Sequence, residues 1–143
     1  MIYTELTKKA LSICFDAHKD QRDKSGLPYV FHPFHVAEQM KDEFTTVVAL
    51  LHDVVEDSEY TLDDLRTIFP QRIVDAIAVL THDTQTTYMA YIDDVKQDTI
   101  ATIVKIADLE HNADLSRIST VTKKDVVRSQ KYKAAISHLK GGL

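Results

Sequence analysis

The stretch Ala49-Leu-Leu-His-Asp-Val-Val-Glu-Asp-Ser-Glu-Tyr60 (ALLHDVVEDSEY) sets an apolar helical run beside four ionisable groups within six positions. A helix that buries Leu50 and Leu51 has no packing use for His52, Asp53, Glu56 and Asp57. Burying any of these groups unpaired costs several kcal/mol, on the order of the penalty for an uncompensated polar or charged group. Glu56 follows His52, and Asp57 follows Asp53, at i+4, and residues four apart share a helical face. A divalent cation held by His52 and Asp53 would explain the placement, with Glu56 and Asp57 one turn away to hold a water on it. The competing explanation is a solvated, acidic helix end.

Outward from this stretch the periodicity stays helical. Leu6, Ala10, Ile13, Cys14 and Ala17 mark one face of a first helix, and the polar loop KDQRDKSGLPY follows. Pro33 suits the first position of a second helix that turns Val36, Ala37 and Met40 inward. A third helix, from about Thr45, carries Val47, Val48, Leu50 and Leu51. Thr61 with Asp64 forms a capping pattern for LDDLRTIF, and Pro70 opens QRIVDAIAVL. The polar break THDTQTT precedes YMAYIDDVKQ. A long apolar helix, TIATIVKIADLEHNADL, begins from Asp98, and Thr122 with Asp125 starts a last one that Gly141 and Gly142 close. No segment alternates with period two. The expected architecture is all-α, a single domain over residues 1–143 with a metal site between helices.

Composition narrows the function. With 44% hydrophobic and 27% charged residues the chain reads as an ordinary globular protein. A net charge of −5 with no basic block argues against nucleic acid as a partner, and any anionic ligand needs a local cluster of cations or a metal. The longest apolar stretch, VVALL, is far short of the roughly 20 residues that span a bilayer. No membrane partner and a cytoplasmic location are therefore expected. The lone Cys14 lies on the apolar stripe of the first helix, which suits a buried thiol in a reducing compartment rather than a nucleophile. No pattern encodes an oligomeric state or a lid over residues 82–87. Gly26 is the only glycine before position 141, so a glycine-rich phosphate loop is excluded.

Two more places carry chemistry. The helix from Asp98 is apolar on nearly every side, yet Lys105, Asp108 and Asn112 form one polar stripe at i, i+3 and i+7. Asp108 could complete a metal site with Lys105 and Asn112 beside it for phosphate or base contact, or the stripe could be a lysine–aspartate pair with an incidental amide. In PYVFHPFHV, His32 and His35 stand one turn apart, and periodicity does not choose between them.

The stretches DKSGLPYVFHPFHVAEQM, TTVVALLHDVVEDSEYTLDDL and VKIADLEHNADLSRI, taken together and in this order, resemble the signatures of the HD-domain hydrolases of the RelA/SpoT type, from about Ala10 to Ile118. These enzymes remove the 3′-pyrophosphate of (p)ppGpp. The resemblance implies a small, hydrolase-only alarmone hydrolase with an HD-type helical fold, acting on a phosphorylated nucleotide with Mn²⁺. It favours His32 over His35 as a metal ligand, joined by His52, Asp53 and Asp108. Glu56 and Asp57 match the acidic pair that activates water, while Lys24, Ser25 and Asn112 match positions near the nucleotide. The chain departs from the pattern at Asp23, Leu109 and Asp114, where arginines are usual. This predicts a pocket rim poorer in cations and leaves room for a different phosphorylated nucleotide as substrate. A non-catalytic nucleotide sensor is the third reading, disfavoured by the intact acidic pair. His82-Asp83 is a second HD dipeptide whose surroundings match nothing in the family.

Overall fold

The computed structural model describes residues 1–141, and among these the architecture is helical throughout. The helices are α1 (Glu5–His18), α2 (Phe31–Glu38), α3 (Glu43–Leu51), α4 (Val54–Asp57), α5 (Leu62–Arg66), α6 (Gln71–Leu80), α7 (Tyr88–Lys96), α8 (Thr99–Ala113) and α9 (Lys123–Lys140). A 3₁₀ turn at Leu115–Arg117 follows α8. Among the described residues the β-type pairing is one isolated bridge, Arg22 to Pro28, which closes the loop after α1. Gly26, at φ +85°, sits in the tip of that loop, in a backbone region that side chains other than glycine rarely enter.

Local chemistry sets most boundaries. Thr61 and Asp64 form a reciprocal capping box at α5, as Thr122 and Asp125 do at α9. Pro70 precedes α6, and Asp98 caps α8 through the Ala101 amide. Helix α9 runs to Lys140 with Gly141 beyond it; the expected closing role of Gly142 falls outside the described residues. Two boundaries differ from expectation. Helix α2 starts at Phe31, so Pro33 is its third residue rather than its first. That position is still in the first turn, where a missing N–H breaks no intrahelical bond. The long helix from Asp98 stops at Ala113, where Asp114 leaves helical backbone and caps Ser116 with its side chain.

Helix α3 is the centre of the bundle. Every residue from Thr45 to Leu51 is buried, and α1, α2, α6 and α8 pack around it. Its neighbours meet it through apolar faces: Ala10, Ile13 and Cys14 from α1, Ile73 and Ile77 from α6, and Ala101 and Val104 from α8. Ile77 is fully buried. Ile77→Ala is expected to lower the unfolding free energy by about 2–5 kcal/mol, read as a shifted urea midpoint. Val127→Ala, at a site 64% exposed, is the control and should change it by less than about 0.5 kcal/mol.

Candidate metal centre

The run that opened the sequence analysis is not one helix. Helix α3 ends at Leu51, His52 caps it, and α4 begins at Val54. Asp53 bridges the two at φ −106°, ψ −2°, and the Asp57 amide still bonds the Asp53 carbonyl at 3.0 Å. The one-turn spacing therefore survives, but on two elements joined by a bend rather than on a continuous face. The bend brings His52 and Asp53 together at the C-terminal end of α3, where α2 and α8 also pass.

His32 from the first turn of α2, His52, Asp53 and Asp108 from α8 each offer one ligand atom, and these atoms lie within 4.8 Å of one another. His32 Nε2 is 2.7 Å from Asp108 Oδ1. His52 Nε2 is 3.1 Å from Asp53 Oδ2 and 3.3 Å from Asp108 Oδ1. His52 Nδ1 lies 2.6 Å from the Ala49 carbonyl, which can only accept, so Nδ1 carries the hydrogen. Without a metal, and against the cost of burial, the two carboxylates favour the imidazolium and hold His52 well above its usual value. In the neutral ring that a metal ligand needs, Nε2 turns a lone pair toward two carboxylate oxygens. It is buried and has no hydrogen-bond partner of acceptable geometry. With that proton gone, Nε2 and the two carboxylate oxygens are three acceptors facing one another, an arrangement that a cation resolves. Two imidazole nitrogens and two carboxylates are a donor set for a divalent ion, and the residues fit one.

The surroundings prepare these groups. Burial opposes charge on Asp53, but His52 holds its carboxyl down at about 2, and the Tyr29 hydroxyl donates to Oδ2. Burial likewise opposes Asp108, yet Lys105 first and then His52 hold it well below the usual carboxylate range. Lys105 Nζ donates to Asp108 Oδ2 at 2.9 Å, and Asn112 Nδ2 donates to Asp108 Oδ1 at 3.1 Å. His32 Nδ1 is 2.7 Å from His111 Nδ1. Burial, His32, Arg117 and His35 together lower His111 to about 4, so it is neutral and available as the acceptor that orients His32. His35 is exposed and stacks on His111 with ring centroids 4.1 Å apart. His82-Asp83 joins no comparable His/Asp group among the described residues.

Glu56 and Asp57 stand beside the group on α4. Burial chiefly raises the carboxyl of each, with Asp53 adding to it. The His82 backbone N–H donates to Glu56 Oε1, which ties the loop at 82–87 to that carboxylate.

A cavity of about 350 Å³ opens next to this group. Tyr29 and Asn112 form its inner wall, and Lys24, Ser25 and Tyr132 also line it. Arg22, the sequence neighbour of Asp23, supplies a cation, and Arg117 and Arg128 supply two that sequence reasoning missed, set against the carboxylates of Asp23 and Asp114. The expected cation-poor rim is thus corrected: arginines arrive from other positions. Leu109 is 1% exposed in the core and does not reach the rim. Asp23 is spent on the amides of Ser25 and Leu27, on the Ser25 hydroxyl and on Arg117 at 3.4 Å. Lys105 is not in the cavity wall; its ammonium is committed to Asp108 and lies 5.3 Å from the centre of the Tyr91 ring.

No family model matches the chain. The bifunctional (p)ppGpp synthase/hydrolase SpoT of Escherichia coli is 28% identical over 124 residues, which is 73% of this chain and 17% of that protein. The guanosine-3′,5′-bis(diphosphate) 3′-pyrophosphohydrolase of Aquifex aeolicus is 30% identical over 83 residues, 55% of this chain and 12% of that protein. The chain therefore spans less than a fifth of the length of these curated relatives. Among solved structures, a metazoan ortholog of SpoT described as hydrolysing ppGpp superposes with a TM-score of 0.77 at 23% identity. The match covers 99% of this chain and 87% of that one. The chain has the helical fold of that protein.

Proposed function

From the likeness to those proteins and the geometry of the His–Asp group, we propose that the chain is a single-domain, Mn²⁺-dependent hydrolase of the 3′-pyrophosphate of (p)ppGpp. The observation that carries the reading is the buried, partnerless Nε2 of His52 facing two carboxylates, with His32 completing the set. A divalent ion in that set lowers the pKa of a bound water and neutralises phosphate charge. His32, His52, Asp53 and Asp108 would hold it.

The chain's own groups do the rest. Glu56 is oriented by the His82 amide, and its raised carboxyl makes it a stronger base than an exposed glutamate. Asp57 shares the task of placing the attacking water. Water adds to the 3′-pyrophosphoryl group, the bond to the ribose 3′-oxygen breaks, and pyrophosphate separates from GDP or GTP. Lys24, Ser25 and Asn112 line the cavity that leads to the site, and Arg22, Arg117 and Arg128 provide the local positive field that a chain of net charge −5 needs for an anionic ligand. A cytoplasmic setting fits the single thiol: Cys14 is buried, and burial pushes it up to about 12, so it is inert. No helix among the described residues is long and apolar enough to cross a membrane.

The test is purified chain with ppGpp and Mn²⁺, products separated by ion exchange. Release of GDP and pyrophosphate supports the reading. Faster turnover of another phosphorylated nucleotide in the same panel would keep the chemistry and replace the substrate. Tight nucleotide binding by a metal-free, inactive chain would instead mark a sensor.

A further inference from the structure

The helix that carries Glu56 and Asp57 has four residues, whereas isolated helices shorter than about 12–15 residues are marginal even in favourable sequences. Its placement must come from contacts outside it. Val54 is fully buried in the core, and the His82 amide holds Glu56. A further contact comes from Gln21, three residues beyond the end of α1. Gln21 Nε2 donates to the Asp57 carbonyl at 2.7 Å and to the Ala17 carbonyl at 3.2 Å. Two carbonyl acceptors settle which end of the amide is nitrogen, so Oε1 is the atom 2.8 Å from His18 Nδ1. An amide oxygen only accepts, and Nδ1 therefore carries the hydrogen.

In the neutral ring, His18 Nε2 is then a bare acceptor. The ring is fully buried, and Nε2 has no hydrogen-bond partner. An unsatisfied buried polar group costs about 1–3 kcal/mol, which an apolar residue in the same space would avoid. Tyr29, whose ring centroid is 5.0 Å away, does not relieve it, because its hydroxyl hydrogen goes to Asp53. Gln21 joins the ring to Asp57, meeting His18 Nδ1 with its oxygen and the Asp57 carbonyl with its nitrogen.

We propose that His18 and Gln21 are positioning residues: together they hold the Asp57 end of α4 against the His–Asp group, and His18 Nε2 accepts a hydrogen bond from a buried water on the Asp57 side. The kinetic part rests on the hydrolase reading above; the mechanical part rests on the fold alone.

Two variants of the full chain test it. Gln21→Leu keeps the side-chain bulk and removes both hydrogen bonds. It is expected to speed amide hydrogen exchange across residues 54–57 by about tenfold or more, with α3 protected as in the parent. Unchanged protection there overturns the tether. His18→Asn keeps a donor near the place of Nδ1 and has nothing at the place of Nε2. With metal content and KM for ppGpp unchanged, its kcat is expected to fall about tenfold, the effect of one lost hydrogen bond in the transition state. A parental kcat, or loss of metal with the activity, overturns the role of Nε2. If the parent chain itself does not hydrolyse ppGpp, the hydrolase reading fails. Long-range proton–nitrogen NMR of the His18 ring then decides, with the Nδ1–H tautomer expected and the Nε2–H tautomer overturning the assignment.

Discussion

Asp53→Ala is expected to lose bound metal and turnover together. Asp53 offers one of four ligand atoms, and its carboxyl, held at about 2, is ionised at any working pH. The substitution removes a charge from the set and also leaves the Tyr29 hydroxyl without its acceptor. Changes to groups that merely support a ligand weaken metal affinity by about 10–100-fold, and loss of the ligand itself should exceed that. Metal per chain after gel filtration is the direct measurement. Thermal unfolding supplies a second: at a metal concentration of about 100 Kd, binding adds about 2.7 kcal/mol to the native state. Chelation should then lower the parent's Tm by about 5–10 °C and leave that of Asp53→Ala unmoved. A variant that still carries stoichiometric metal would remove Asp53 from the ligand set.

Glu56→Gln is expected to do the opposite: retain the metal and lose turnover. The glutamine oxygen can still accept the His82 amide, so the bond between α4 and the 82–87 loop persists. What disappears is a group able to take a proton from water. General-base catalysis contributes typically about 10²–10⁴-fold, and kcat should fall by that order with KM little changed. Metal analysis on the same sample separates the roles. Loss of metal in Glu56→Gln would make Glu56 a ligand, and undiminished kcat would hand its task to Asp57.

Helix existence was legible because its signals are local. Thr61 with Asp64 and Thr122 with Asp125 announce helix starts within four residues, and the apolar runs of α3 and α6 name their own buried faces. The break at His52–Asp53 was not legible. The i+4 spacing between His52-Asp53 and Glu56-Asp57 is the same whether the chain stays helical or bends and resumes, and the bend follows from packing against α2 and α8. Lys105 shows the same limit. Its stripe with Asp108 was visible, but not the Tyr91 ring beside its ammonium or its absence from the cavity wall.

What the sequence by itself determined was the class of the fold and the residue types of the site: amphipathic helices, His52-Asp53 at the end of an apolar run, and Asp108 on an otherwise buried helix. The tertiary structure alone showed how the groups meet. His32, which the resemblance already favoured over His35, reaches Asp108 across 76 positions. Gln21 reaches the Asp57 carbonyl across 36. Arg117 reaches Asp23 across 94, so that a rim stripped of its expected arginines is supplied from elsewhere. The reason is physical: periodicity reports which side of a helix avoids water, whereas the partner of each side chain is set by how the faces of distant helices pack.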